Sequence, residues 1–155
     1  MMRQKDSAGV STKEQEGTSE VLPKAFTWPV RVYYEDTDSG GVVYYANYLK
    51  FMERARTEWL RAADFEQTAL LNEQGVIFVV RSVAIEYLKS AVFNDMLRVT
   101  VRPIRIGRSQ IVFLQTVERE DVLARAEVKI VCVKGDTFKP VKIPDEIRQE
   151  IGNEE

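Results

Sequence analysis

The residues best suited to chemistry lie in one run, Tyr33 to Arg56, which reads YYEDTDSGGVVYYANYLKFMERAR. Glu35, Asp36 and Asp38 crowd three carboxylates into four residues, Gly40 and Gly41 follow, and a helical period begins soon after. Four chemistries suit such a run. A calcium loop opens with oxygen ligands at alternate positions and a glycine at the sixth, as Asp36, Asp38 and Gly41 do; it also needs an oxygen at the fifth position and a glutamate at the twelfth. Here those are Gly40 and Asn47, so the ligand set fails twice. An aspartyl nucleophile of the phosphatase kind requires a parallel sheet of repeating βα units, which the rest of the chain lacks. A plain polar turn needs only Asp, Ser and Gly. The fourth is acyl transfer. One carboxylate attacks a carbonyl or activates water, while amides at a helix start, approached closely past two glycines, hold the developing oxyanion. Like charges so close together raise one another's pKa, a cost that a working site offsets.

The rest of the composition narrows the choice. The 155 residues include no histidine and a single cysteine, Cys132. That excludes Ser-His and Cys-His nucleophile pairs, histidine-ligated and four-cysteine zinc, and an intrachain disulfide. Catalysis must run on carboxylates, tyrosines, lysines, backbone dipoles or a bound ion. Cys132 lies in VKIVCVKG, where alternation reads as a buried strand thiol. A net charge of −2 with basic and acidic residues interspersed speaks against nucleic acid. No apolar run approaches the roughly 20 residues of a transmembrane helix, and the N-terminus lacks a signal-peptide core. The expectation is a cytoplasmic protein.

Positioning falls to one helix and a sheet. Residues 1–24, rich in Ser, Glu, Lys, Gln and Gly, read as a disordered tail, leaving a single domain over 25–150. Phe26, Trp28, Val30, Val32 and Tyr34 alternate as a first strand, with Pro29 marking an edge or an irregular start. Tyr48, Met52, Ala55 and Trp59 form one apolar row from Tyr48 through Ala63, with Leu49, Leu60 and Ala63 beside it and Asn47 as the expected N-cap. A short helix EQTALLNEQ ends near Gly75. Four strands follow, VIFVVRSVAIEYL, MLRVTVRPIRI with a bulge at Pro103, SQIVFLQTVERE and VLARAEVKIVCV, joined by turns short enough to predict antiparallel neighbours; PDEIRQEIG closes the chain as a short helix. The predicted class is α+β, a five-stranded antiparallel sheet wrapped around one long helix. Long edges and a second apolar sheet face predict a homodimer.

The run VRVYYEDTDSGGVVYYANYLKFMERARTEWLR, preceded by FTWP and followed by FVVRSVAIEYL, resembles the hotdog-fold acyl-CoA thioesterases of the 4-hydroxybenzoyl-CoA thioesterase superfamily. Within it, the YbgC-type enzymes encoded with the Tol-Pal cell-envelope system are the most similar. The resemblance covers about Phe26 to Ile147. It implies a helix wrapped by an antiparallel sheet, dimers that join sheets, and active sites at the dimer interface. It also implies hydrolysis of a short- to medium-chain or aromatic acyl-CoA, or of an acyl group on acyl carrier protein, with no cofactor beyond the coenzyme A of the substrate. The catalytic aspartate falls on Asp38, as nucleophile or general base. The amide that polarises the thioester carbonyl falls on Tyr45, with Gly41, Val42 and Tyr44 forming the approach and Tyr34 near the site. YbgC-type sequences usually carry histidine where Tyr45 stands, whereas the 4-hydroxybenzoyl-CoA branch carries tyrosine. A tyrosine, with an ordinary pKa near 10, is a poor base at neutral pH, but its backbone amide is unaffected by the exchange.

Other candidates lie outside the turn. Glu53, one helical turn after Leu49, is a candidate to point into the site, since related branches use a helix glutamate instead of the turn aspartate; otherwise it reads as an ion pair with Arg54 or Arg56. Arg102, Arg105, Arg108 and Ser109 crowd a strand turn and suit the phosphates of coenzyme A, with Lys134, Lys139 and Lys142 as weaker versions of the idea; equally, they suit a solvated hairpin end. Tyr87 and Phe93 read as core or dimer contacts. Two rivals to an enzyme remain: a non-catalytic partner that binds acyl thioesters or acyl carrier protein in cell-envelope biogenesis, and a calcium-stabilised adaptor. Association into dimers or dimers of dimers, and a place at the inner face of the cell membrane, complete the expectations.

Overall fold

A computed structural model describes residues 25–152; the predicted N-terminal tail lies outside the described residues. Strand β1 spans Phe26–Arg31, a single 3-10 turn Tyr34–Asp36, helix α1 Asn47–Ala62, helix α2 Gln67–Gln74, and strands β2, β3, β4 and β5 Val76–Tyr87, Met96–Ile106, Gln110–Glu118 and Val122–Lys134; helix α3, Asp145–Gly152, ends the described chain. The first strand thus stops three residues before Tyr34, because the chain turns at Tyr33 to place Asp36 inside.

All five strands join one antiparallel sheet in the order β1-β3-β4-β5-β2. Antiparallel pairing holds as predicted, with one correction. The short connection from β2 to β3 does not make them neighbours: β2 pairs with β5 and β3 with β4. Residues 88–95 instead cross the end of the sheet beneath the acidic turn, where Val92 bridges Val42 and the Val43 amide donates to the Ala91 carbonyl. Pro29 sits on edge strand β1. The expected irregularity at Pro103 is a register shift between Pro103 and Arg105.

Helix α1 lies across β3, β1 and β4. Tyr48, Phe51, Met52 and Ala55 form its buried stripe at helical spacing, and the Trp59 ring meets Phe113 edge-on at 5.0 Å. Each large side chain so buried contributes on the order of 1.5–3 kcal/mol. Leu49 falls outside the stripe and stays exposed. Toward β2 the helix leaves the sheet uncovered: Val80, Val83 and Tyr87, aligned with the inward residues Ile130, Val128 and Ala124 of β5, remain exposed. Helix α2 ends as its sequence dictates, on Gly75 with φ of 71°. Cys132 is fully buried, and burial pushes its thiol up to about 11. No helix among the described residues is long and apolar enough to cross a membrane.

Candidate active site

The acidic turn is a small hairpin. The Tyr44 amide donates to the Asp36 carbonyl at 2.9 Å, Thr37 bridges Val43, and the Asp38 amide donates to the Val42 carbonyl at 2.9 Å. At its tip the Gly41 amide closes back on the Asp38 carbonyl at 3.0 Å, and Gly41 takes φ of 85°. This is the geometry of a tight turn followed by a left-handed residue, a conformation that favours glycine at that second position. Gly40 has a different reason: a Cβ there would come within 3.2 Å of Asp38 Oδ1.

The three carboxylates have separate surroundings. Glu35 is exposed. Asp36 is buried, and its Oδ2 accepts the Tyr33 amide at 2.8 Å. Its carbonyl accepts both the Tyr44 amide and the Asn47 side-chain amide, the latter at 2.8 Å. Asn47 is therefore not the N-cap, which is Ala46; its side chain reaches back to tie the helix start to the turn. Asp38 is exposed, and its Oδ1 accepts the Gly40 amide at 2.8 Å. Among the described residues its second oxygen has no partner. The turn thus fixes one carboxylate oxygen and leaves the other exposed and without a partner among the described residues.

Beyond the hairpin the chain enters α1 through Tyr45 and Ala46. Among the described residues neither amide donates a hydrogen bond, the expected state of amides at a helix start, where the macrodipole adds partial positive charge. The Tyr45 ring is exposed and packs against Tyr44 and, edge-on at 6.0 Å, against Tyr87. The Tyr87 hydroxyl donates to the Tyr45 carbonyl at 3.1 Å, pinning the first peptide of the helix from the far end of β2. Sequence reasoning read Tyr87 as a core or dimer contact and missed this bond; the signal was its place as the last residue of a strand. Burial, then the Tyr45 and Tyr48 rings, holds the Tyr87 hydroxyl above its ordinary pKa, and Tyr45 does the same to Tyr44. Tyr48, raised chiefly by burial, accepts the Ala91 amide at 2.9 Å.

Tyr34, Gly41, Val42, Tyr44 and Tyr45 all gather on or beside this hairpin. The Tyr34 ring is exposed and stacks on Phe93 at 3.8 Å, so Phe93 is a surface partner and not core. Arg108 and Ser109 do not join them. The hairpin sits at the Met96 end of β3, tied there by Val32 and Asp95, whereas Arg108 follows the Ile106 end. Eleven residues of strand at about 3.3 Å each put roughly 30 Å between the two ends within one chain. Glu53 forms no ion pair among the described residues, contrary to the expected link with Arg54 or Arg56. It lies at the wall of a cavity between α1 and the sheet instead, with Arg56 and Thr57. No group of three or more residues that could hold a metal ion occurs among the described residues.

Known proteins resemble this chain along most of its length. Residues 32–151 match the thioesterase-like superfamily. The acyl-CoA thioesterase YbgC of Haemophilus influenzae is 46% identical over 129 residues, covering 83% of this chain and 95% of that protein. The acyl-CoA thioester hydrolase YbgC of Escherichia coli is 47% identical over 124 residues, covering 79% and 92%. The crystal structure of a probable thioesterase from Bartonella henselae superposes with a TM-score of 0.75 at 34% identity, covering 78% of this chain and all of that one. With a five-stranded antiparallel sheet around a central helix and these relatives along most of its length, the chain belongs to the thioesterase-like superfamily, in the hotdog fold and beside the YbgC-type acyl-CoA thioesterases.

Proposed function

We propose that the chain hydrolyses the thioester of a short- to medium-chain or aromatic acyl-CoA to the free acid and coenzyme A, with Asp38 as the reacting carboxylate. The observation that carries this reading is the state of Asp38: one oxygen held by the Gly40 amide, the other without a partner among the described residues, on the hairpin that leads into the undonated amides of Tyr45 and Ala46. As nucleophile, the free oxygen attacks the carbonyl carbon, the carbonyl oxygen takes the charge, and the C–S bond breaks to release the thiolate. Water then opens the mixed anhydride. As general base, the same oxygen takes a proton from water as water attacks. Either way the Tyr45 amide donates to the oxyanion, where removing one such donor typically costs 10²–10³ in rate.

The site is completed by a second copy. β2 is the sheet edge with exposed apolar side chains, whereas β1 carries Pro29. Antiparallel joining of two β2 edges brings the Arg108 end of one protomer to the Asp38 end of the other. That removes the separation within one chain and places Arg108 and Ser109 to meet the phosphates of coenzyme A. The deciding experiment is thiol release from acyl-CoA substrates across chain lengths, with matched acyl carrier protein substrates in parallel and sedimentation on the same preparation. Turnover by a dimer supports the reading; binding of acyl-CoA without thiol release would leave a non-catalytic acyl-thioester partner.

A further inference from the structure

The cavity between α1 and the β2 side of the sheet has a volume of about 70 Å³, and Trp59, Phe78, Phe113 and Ile130 give it apolar walls. Into this apolar setting α1 projects Arg56. The guanidinium is fixed from below: Gln115 is fully buried on β4, its Nε2 donates to the carbonyls of Met52 and Thr100, both at 3.2 Å, and its Oε1 accepts Arg56 Nη1 at 2.9 Å. Two carbonyl acceptors set the orientation of that amide, so the acceptor face is turned to Arg56. Of the five N–H donors of the guanidinium, one is used; among the described residues no carboxylate pairs with it. A cation held largely out of water against a single neutral amide is costly to keep, and burial accordingly pulls Arg56 below the ordinary arginine value, with Glu53 working the other way. Glu53 itself is exposed, so water screens its charge far more than that of Arg56.

We propose that this cavity is a subsite for a carboxylate at the far end of the acyl group, with Arg56 as its counter-ion, so that the preferred substrates are thioesters of dicarboxylic acids. The cavity lies toward the Arg108 end of the sheet, far from Asp38 of the same chain, so the thioester it serves is the one at the Asp38 end of the second copy. The proposal rests on the thioesterase reading and its dimer for the thioester end and on Arg56 for the other. At about 30 Å³ per water the cavity has room for roughly two waters, or a carboxylate with the methylene beside it. Its apolar walls receive the chain, Thr57 offers a hydroxyl, and Arg56 offers donors in the planar fork that matches a carboxylate. Glu53, at the wall one helical turn before Arg56, disfavours a second negative charge and so weakens the site without blocking it.

Two measurements decide it. Thiol release is compared between propionyl, butyryl, valeryl, hexanoyl and octanoyl-CoA and their ω-carboxylated counterparts, malonyl to suberoyl-CoA. The expected result is that, at one or more lengths, the carboxylated member has kcat/KM about tenfold higher, through KM, and that Arg56→Met removes the preference. Preference for the plain chain at every length overturns the proposal. The second measurement does not depend on turnover: hexanoate raises the melting temperature of the full chain and hexanamide does not, Glu53→Gln enlarges the hexanoate shift, and Arg56→Met abolishes it. Equal shifts with acid and amide, or none with either in the wild type and in Glu53→Gln, overturn it as well. If no thioester of either series is hydrolysed, the thioesterase reading fails while the hexanoate arm still decides for or against the subsite.

Discussion

Replacing Asp38 by Asn separates the turn from the chemistry. The native carboxylate has two jobs on two oxygens: Oδ1 accepts the Gly40 amide at 2.8 Å, and the second oxygen is the proposed reacting atom. An asparagine side chain keeps an Oδ1 acceptor in the same place, so the turn loses only the charge assistance of one exposed hydrogen bond, less than about 1 kcal/mol. For a domain of this size that is a fall of at most about 4 °C in melting temperature. Asparagine cannot act as nucleophile or base, and losing that group should lower kcat by about 10²–10⁴. Asp38→Ala gives the reverse contrast, matching the asparagine variant in lost activity but also losing the Gly40 bond and about 1 kcal/mol of stability. Thiol release read with a chromogenic thiol reagent, and thermal unfolding by circular dichroism on the same samples, give both quantities. Wild-type turnover in a folded Asp38→Asn variant would refute the assignment of the reacting carboxylate. An unfolded Asp38→Asn variant would refute the claim that its role in the turn survives amidation.

Tyr45→Phe should keep most of the activity in the same assay, because the exchange leaves the backbone amide and the edge-on contact with Tyr87 in place; a loss as large as that of Asp38→Asn would move the catalytic role onto the phenol. Cys132 should resist alkylation at pH 8 until the chain unfolds. Its folded value of about 11 lies above the ordinary thiol value of 9.0, so its contribution, on the order of 2–3 kcal/mol, is complete below pH 9 and fades as pH rises toward 11; denaturant titrations of wild type and Cys132→Ala across that window check the sign. A purified heterodimer of Asp38→Asn and Arg108→Ala subunits should retain one site with native KM, because the proposed dimer draws the two residues of each site from different protomers. If they belonged to the same protomer, no heterodimer site would be intact and no native-KM component would appear.

The sequence carried the fold wherever local pattern and tertiary need coincided. The alternation through Met96–Ile106 and Val122–Lys134 and the apolar stripe of α1 were legible because each element buries one face. Strand order was less so. The connection over residues 88–95 is short enough to suggest a hairpin, but its hydrogen bonds go to the turn, Val32 and Leu123, so its length follows from spanning the sheet end. Asn47 misled for a related reason: it is a good cap by type, yet the Asp36 carbonyl, brought near by the hairpin, is an alternative partner for its side chain.

The same reasoning separates what was visible of the site from what was not. Asp38, Gly41 and the amide of Tyr45 lie within eight residues of one another, so a turn and a helix start suffice to assemble the proposed unit, and a single strip of letters displayed it. Arg56 and Gln115 are 59 residues apart and meet only when α1 is laid on β4. Each left a local trace nonetheless. Gln115 occupies an inward position of β4, in line with Ile111, Phe113 and Val117, where a polar side chain needs a partner; Arg56 lies only one position beyond the buried Ala55. A polar residue at a core position of a strand, opposite a helix with an arginine near its apolar face, is therefore the pattern by which such a subsite can be sought before the elements are assembled. The chemistry proposed for the turn can be read along the chain, whereas the selectivity proposed for Arg56 is written across it.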